Sequence, residues 1–215
     1  MSAPALKRYG ERALLVELDL ADRSAETAAR EVAGWAAAIR DADRPDVVDV
    51  VPAARSVLVH CTSEAAVFEL RRTIAGLQPL PADTGSAGQL VEIPVTYDGP
   101  DLREVAELSG LSLGDVVRAH VDSEWWVAFA GFAPGFAYLV GGDPRLAVPR
   151  RASPRTRVPR GSVALAAGYT AVYPQASPGG WQLIGRTDRA LWNLADDPPA
   201  LLVPGTRVTF VRADR

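Results

Sequence analysis

The sequence predicts an α+β chain of two domains, and three observations carry that prediction. Before residue 78, short strand-like runs are twice followed by an apolar stripe at helical spacing. The stretch 79–88 (PLPADTGSAG) then has linker composition and lies between two patterned regions. After residue 124 the apolar runs become short and are punctuated by Gly and Pro, as in a β-barrel or sandwich. The domains are expected at 1–82 and 83–215.

The elements follow in order. Residues 13–18 read as a strand, with another possible at 6–9. Residues 24–39 read as a helix, because Ala25, Ala28, Ala29, Val32, Ala33, Ala36 and Ile39 make one stripe. Asp43-Arg44-Pro45-Asp46 breaks it. The β-branched runs 47–51 and 56–61 flank a turn at Pro52 and predict a hairpin. Ser63 can cap a second helix with Ala66, Val67, Leu70 and Ile74 inward. Strands, helix, two strands and helix fit a small sandwich of the ferredoxin-like split βαβ type. Beyond the linker, 90–96 reads as a strand. Asp101 and Glu104 have capping-box spacing at the head of a helix that stops at Gly110. Ser112 caps another helix, ending near Val121. Short strands are expected at 125–130, 136–140, 163–167, 171–173, 182–185, 201–203 and 208–211.

Composition excludes several classes. The chain has 215 residues, 48% hydrophobic and 23% charged, with formal net charge -3. No run approaches the length of a membrane helix, and no secretory leader pattern is present, so no membrane role is expected. Cys61 is the single cysteine. It implies a reducing cytoplasm, and its apolar neighbours read as a buried thiol. Lys7 is the single lysine, so no Gly-x-x-x-x-Gly-Lys phosphate loop exists and no cofactor-binding motif is recognisable. There is no Gly-x-Ser-x-Gly elbow. With His60 and His120 the only histidines, no metal site is expected. An acidic chain with its arginines gathered in a Pro-rich loop is not a nucleic-acid binder.

The chemistry concentrates in 125–189. From Pro144 to Thr187 there is no Asp or Glu, yet Arg145, Arg150, Arg151, Arg155, Arg157, Arg160 and Arg186 fall there. This is a positive field in an acidic protein, suited to an anionic ligand or an acidic partner. A solvated loop is the plainer reading. Two Gly/Pro/aromatic turns bracket it. Ala133-Pro134-Gly135 has the order of a type II turn, with Gly tolerating positive φ, and carries Phe132, Phe136 and Tyr138. Ser177-Pro178-Gly179-Gly180 presents Trp181. Glycine turns let a ligand reach bare backbone N–H groups, although turned aromatics are also core packing. His120 reads as a helix-end cap, a buried contact or a general base.

The segments GFAPGFAYLVGGDPRLAVPRR, SPR, VPRGSVALA and YTAVYPQASPGGWQLIGRT resemble one family. It includes the B component of the bacterial three-component 5-oxoprolinase, the sporulation-kinase inhibitor KipI, and chains called allophanate hydrolase subunit 1 (the carboxyltransferase domain, subdomain C). The resemblance covers 97–210 and implies a small N-terminal α+β domain followed by a cyclophilin-like β-barrel domain. It also implies a related C-type partner chain, an A-type chain, ATP for the complex, and a small amide or lactam substrate. Similar paired domains occur in urea carboxylase. At 166–173 this chain has AAGYTAVY where the family pattern is AGGQTGIY.

The reading is a hydrolase subunit, inactive alone, for ATP-dependent opening of 5-oxoproline to glutamate. Arg150, Arg155 and Arg186 would bind the anion with backbone groups of Gly179 and Gly180. Phe132, Pro134, Gly135, Phe136, Tyr138, Tyr173, Ser177, Pro178 and Trp181 would form a pocket wall or interface, with His120 the base candidate. A kinase-inhibitor-type binding protein and a component of an allophanate- or urea-type hydrolase or carboxyltransferase are the alternatives.

Overall fold

The computed structural model describes residues 3–81 and 90–213. The chain divides into two compact units, Met1–Thr84 and Gly85–Arg215. The expected boundary between 82 and 83, and most of the expected linker, lie outside the described residues.

The first unit orders its elements as β1 (Ala5–Arg8), β2 (Ala13–Glu17), α1 (Ala25–Asp41), β3 (Val47–Pro52), β4 (Ser56–Cys61) and α2 (Glu64–Ala75). The Ser24 side chain accepts from the Thr27 N–H, and the Ser63 side chain from the Ala66 N–H. Each cap satisfies a backbone donor that the first helical turn leaves unpaired. Among the described residues the sheet is antiparallel, in the order β1-β2-β4-β3. A split βαβ sheet would take its last edge strand after α2; here β1 holds that edge. Val32, Ala36 and Ile39 of α1 and Val67, Leu70 and Ile74 of α2 pack on Leu14, Val16, Val57 and Val59. Trp35 joins this core from beside the expected stripe. Cys61 is buried in it, and burial raises its thiol pKa.

The second unit begins with β5 (Leu90–Val95), α3 (Leu102–Ser109) and α4 (Leu113–Val121). Then come β6 (Trp125–Ala130), β7 (Ala137–Val140), a 3-10 turn at Pro144–Leu146, β8 (Arg155–Val158) and β9 (Ser162–Ala166). The chain ends with β10 (Tyr169–Val172), β11 (Ser177–Gly179), β12 (Gln182–Arg186) and β13 (Arg207–Arg212). A seven-stranded sheet runs β12-β9-β10-β7-β6-β13-β5 and curls until its edges meet. Thr96, just past β5, exchanges two 2.9 Å backbone hydrogen bonds with Arg186 at the end of β12. Gly99 extends this seam. A Cβ there would lie 2.3 Å from the Leu183 oxygen, so only glycine admits the closure. The sheet is nearly closed and barrel-like, and Val95, Val127, Leu139, Val163, Leu165, Ile184 and Phe210 fill its interior.

A second cluster lies against the other face of the same strands. Ala164 and Ala166 of β9, Ala171 of β10 and Leu183 of β12 pack with Phe136, Tyr173, Val158 and Trp181. Val158 belongs to β8, which pairs with β11 as a separate two-stranded ribbon. Strand β9 is therefore buried on both faces, which accounts for the apolar run that follows Ser162 in it. Two expectations are corrected here. The arginine-rich stretch is not all loop, because β8 lies inside it. Residues 201–203 form no strand: Leu201 makes a backbone hydrogen bond to Leu191, and Trp192 bridges Ala200.

Candidate functional site

The arginine-rich stretch is organised by an acid from outside it. Asp101 was expected to cap α3, but its side chain makes no cap hydrogen bond. It is 3% exposed. Its Oδ1 accepts from Arg151 Nη1 at 2.9 Å and from Arg155 Nη2 at 2.6 Å. Its Oδ2 accepts from the Leu183 N–H at 2.7 Å. Glu104 continues the network, accepting from Arg151 at 3.0 Å and from Gln182 Nε2 at 3.2 Å. Three long-range contacts on one buried carboxylate outweigh one local cap, since bonds to a charged group contribute about 1.5–3 kcal/mol each. Arg151 Nε, Arg155 Nη1, Ser177 Oγ and Gln182 Oε1 are buried and have no protein partner.

The two glycine turns meet at the aromatic cluster. Ala133 accepts from the Phe136 N–H at 2.9 Å and Gly135 has φ of 77°, as a type II turn requires. Phe136 sits edge-on to Tyr173 (5.3 Å) and Trp181 (5.8 Å). Tyr138 stacks on Phe129 at 4.4 Å and meets Trp181 at 5.6 Å. Phe136, Tyr173 and Trp181 are buried, and Tyr138 is half-buried. These rings are core on one side and a wall on the other. Phe132 differs. It is 64% exposed with φ of 71°, and a bulky residue held in the left-handed region is a strained one.

The charge at this wall comes from Arg150 and Arg155. Burial raises the Tyr173 pKa, and Arg150, the Trp181 backbone N–H and Arg155 pull it back. Tyr138 is also raised by burial and opposed by Arg150. Arg150 is exposed and makes no ion pair among the described residues. Gly179 lies opposite Arg155 in the ribbon, and a Cβ there would sit 2.4 Å from the Tyr173 hydroxyl. Gly180 accepts from the Arg151 N–H. Ser177 and the exposed Pro178 begin the same ribbon strand. The structure thus gathers Arg150, Arg155, Tyr138, Tyr173, Ser177, Gly179, Gly180 and Trp181. Pro134 and Gly135 support them from the adjoining turn.

Arg186 and His120 stand elsewhere. Arg186 is on the barrel seam, where its Nε donates to Asp98 at 3.0 Å. His120 is fully buried inside the barrel, beside Trp125 and Phe210. Its Nδ1 lies 2.8 Å from the Tyr97 hydroxyl and its Nε2 2.9 Å from Thr170 Oγ1. Thr170 Oγ1 donates to the Ala164 carbonyl, so it accepts from Nε2–H and leaves Nδ1 to accept from Tyr97. Burial lowers the His120 pKa to about 3 and raises that of Tyr97. This imidazole is neutral, has both nitrogens occupied and meets no solvent. It has the environment of a structural histidine, not of a base that reaches substrate.

Sequence reasoning missed Asp101, Glu104, Arg151 and Gln182 as one network. The available signal was the acid-free run itself, because arginines at buried positions need carboxylates from elsewhere in the chain. The assembled site is rich in donors, and Ser177 Oγ and Gln182 Oε1 are its buried acceptors without a protein partner. It can grip an anion and contact an amide. Among the gathered residues no nucleophile–base pair is present.

The sequence pattern of the family described as carboxyltransferase domain, subdomain C and D, matches residues 4–202. The 5-oxoprolinase B component of Escherichia coli O157:H7 is 40% identical over 210 residues, covering 94% of this chain and 93% of that relative. The 5-oxoprolinase B component of Bacillus subtilis (strain 168) is 50% identical over 127 residues, 58% of this chain and 53% of the relative. Among solved structures, TTHA0988 superimposes with a TM-score of 0.76 at 36% identity, covering 95% of this chain but 40% of that longer chain. The Kluyveromyces lactis urea carboxylase gives a TM-score of 0.71 at 19% identity over 98% of this chain and 22% of its own. That match speaks for the fold alone.

Proposed function

The chain belongs to the family of the carboxyltransferase domain, subdomain C and D, and from that premise we propose that it is the B-type component of an ATP-dependent 5-oxoprolinase. The observation that carries the reading is the 40% identity to a 5-oxoprolinase B component over nearly the full length of both chains. In this reading the first unit is a ferredoxin-like sandwich with a substituted edge strand, and the second is a cyclophilin-like barrel. The protein works in the cytoplasm with a related C-type chain and an A-type chain.

A lactam resists hydrolysis because its C–N bond has partial double-bond character. In the proposed reaction the lactam oxygen takes the terminal phosphoryl group of ATP. A first water adds to the activated carbon and the C–N bond breaks, the nitrogen taking a proton to become the amine and ADP having left, which gives an acyl phosphate. A second water attacks that carbonyl carbon, phosphate departs with the original oxygen, and glutamate is formed. With no Gly-x-x-x-x-Gly-Lys loop in the chain, phosphoryl transfer is assigned to a partner. This chain contributes binding. Arg150 holds the 5-oxoproline carboxylate by paired N–H···O bonds. Arg155, fixed on the Asp101 carboxylate, and the backbone of Gly179 and Gly180 complete the anion grip. Tyr138 and Tyr173 form the wall, and Phe132 meets the partner.

The test is reconstitution. This chain, a C-type and an A-type chain are purified and mixed with ATP and 5-oxoproline, and each is omitted in turn. Glutamate should form only from the complete mixture. Full glutamate formation without this chain, or by this chain alone, contradicts the proposal.

A further inference from the structure

A second cleft opens at the other end of β8 from Arg155. Its volume is about 460 Å³, and Arg160, Arg189, Leu191, Trp192, Asn193 and Asp196 are among its lining residues. We propose that this cleft is an oxyanion site, taking a small ligand that carries phosphate or carboxylate on a flat ring.

Both arginines stand on backbone that is tied together. Arg160 lies in the turn between β8 and β9, next to Gly161, whose φ is 79°. The Gly161 N–H donates to the Tyr173 carbonyl, and the Gly161 carbonyl accepts from the Thr187 N–H. A Cβ on Gly161 would lie 2.2 Å from the Thr187 oxygen, so the turn rests directly on that segment. Thr187 Oγ1 in turn accepts from the Arg189 N–H. One short hydrogen-bonded path therefore fixes both guanidinium stems at the same cleft. Neither arginine makes an ion pair among the described residues, whereas Arg145, Arg151, Arg155 and Arg186 all do.

The opposite side is also built. Trp192 bridges Ala200, the Asn193 N–H donates to the Pro199 carbonyl, and Leu191 is buried beneath. Trp192 is 39% exposed and offers a ring face. Asp196 is the acidic lining residue, and its Oδ1 accepts from Asn193 Nδ2. Two free guanidinium groups against one hydrogen-bonded carboxylate leave the cleft positive. Guanidinium donors match the oxygens of a carboxylate or phosphate, and an indole face suits a flat ring. A nucleotide and 5-oxoproline both meet that description, one by phosphate and one by carboxylate.

Trp35, Trp125, Trp126 and Trp181 are buried, so Trp192 is the exposed tryptophan among the described residues. Its emission reports the cleft. The full chain is titrated with ATP, with 5-oxoproline and with inorganic phosphate, following fluorescence, with Trp192→Phe as the signal control. At least one probe should give a saturable change that vanishes in Trp192→Phe. Arg160→Ala and Arg189→Ala should each weaken it roughly tenfold or more, the cost of a lost charged hydrogen bond, at an unchanged melting temperature. Strongest binding by ATP assigns the phosphate source, and by 5-oxoproline the carboxylate source. Arg150→Ala should leave this signal unchanged, which separates it from the proposed lactam site. No saturable change with any probe, or equal affinity in both arginine variants, overturns the inference.

Discussion

Replacing Asp101 by Asn keeps the shape of the side chain and removes its charge. In the structure one carboxylate oxygen serves two guanidinium groups, at 2.9 and 2.6 Å, and the other serves the Leu183 N–H at 2.7 Å. An Asn carbonyl can replace one oxygen, not both. If it faces the arginines, its NH2 meets the Leu183 N–H, donor to donor. If it flips, the NH2 meets two cations. Either arrangement leaves buried donors without an acceptor. Breaking a buried ion pair from one side costs about 3–5 kcal/mol. At about 2–4 °C per kcal/mol for chains of this size, the melting transition should fall by about 10 °C. The control is Asp98→Asn, whose pair with Arg186 is exposed and should contribute about 1 kcal/mol or less. Differential scanning calorimetry of both variants at one ionic strength makes the comparison. The reasoning is refuted if Asp101→Asn melts within about 3 °C of the parent, or no lower than Asp98→Asn.

Other perturbations test other parts of the molecule. His120 binds a proton only near pH 3 when folded, whereas an unfolded histidine does so near 6.5. The unfolded chain therefore holds the extra proton in this window, and stability falls as pH drops from about 6.5 toward 3, by at most about 1.4 kcal/mol per pH unit. Urea midpoints should show that acid limb flattened in His120→Gln. Imidazole 15N shifts of the parent should report an unchanging Nε2–H tautomer from pH 8 to 5. Gly142→Ala would set a Cβ 1.9 Å from the Trp125 ring and should cost about 3 kcal/mol by overpacking; urea unfolding at parental stability would contradict this. Phe132→Gly removes an exposed ring from strained backbone, so melting should hold within about 3 °C. Co-elution with the proposed C-type partner should weaken, and undiminished co-elution would count against Phe132 as a contact.

Local rules made much of the fold legible. Ser63 and Ser112 each cap the helix expected of them, because a cap needs only residues three positions apart, and Ser24, read as the first helical residue, is the cap of α1. The same rule misled at Asp101, where the deciding partners lie 50, 54 and 82 residues away. Strands β8 and β11 escaped notice for a related reason. Gly179 pairs with Arg155 across the chain, and a strand read as RTRV or SPG carries no apolar alternation. At 201–203 the reverse occurred: Leu202 is buried, but burial of an apolar run does not require a ladder. For the site, the acid-free run disclosed a positive field. Which guanidinium stays free depends on Asp98, Asp101, Glu104 and Asp143, all upstream of the field. Arg150, Arg157 and Arg160 are left without an ion pair among the described residues, and only the folded chain shows it.

Arg150 is the group proposed to hold the anionic end of the substrate. The most direct measurement is steady-state turnover of 5-oxoproline by the reconstituted complex carrying Arg150→Ala or Arg150→Lys in this chain. A lost charged hydrogen bond contributes about 1.5–3 kcal/mol. Arg150→Ala should therefore raise KM for 5-oxoproline roughly ten- to a hundredfold, with KM for ATP and the melting temperature unchanged, and Arg150→Lys should restore part of the loss. An unchanged KM for 5-oxoproline in Arg150→Ala, with the complex intact, would contradict that role.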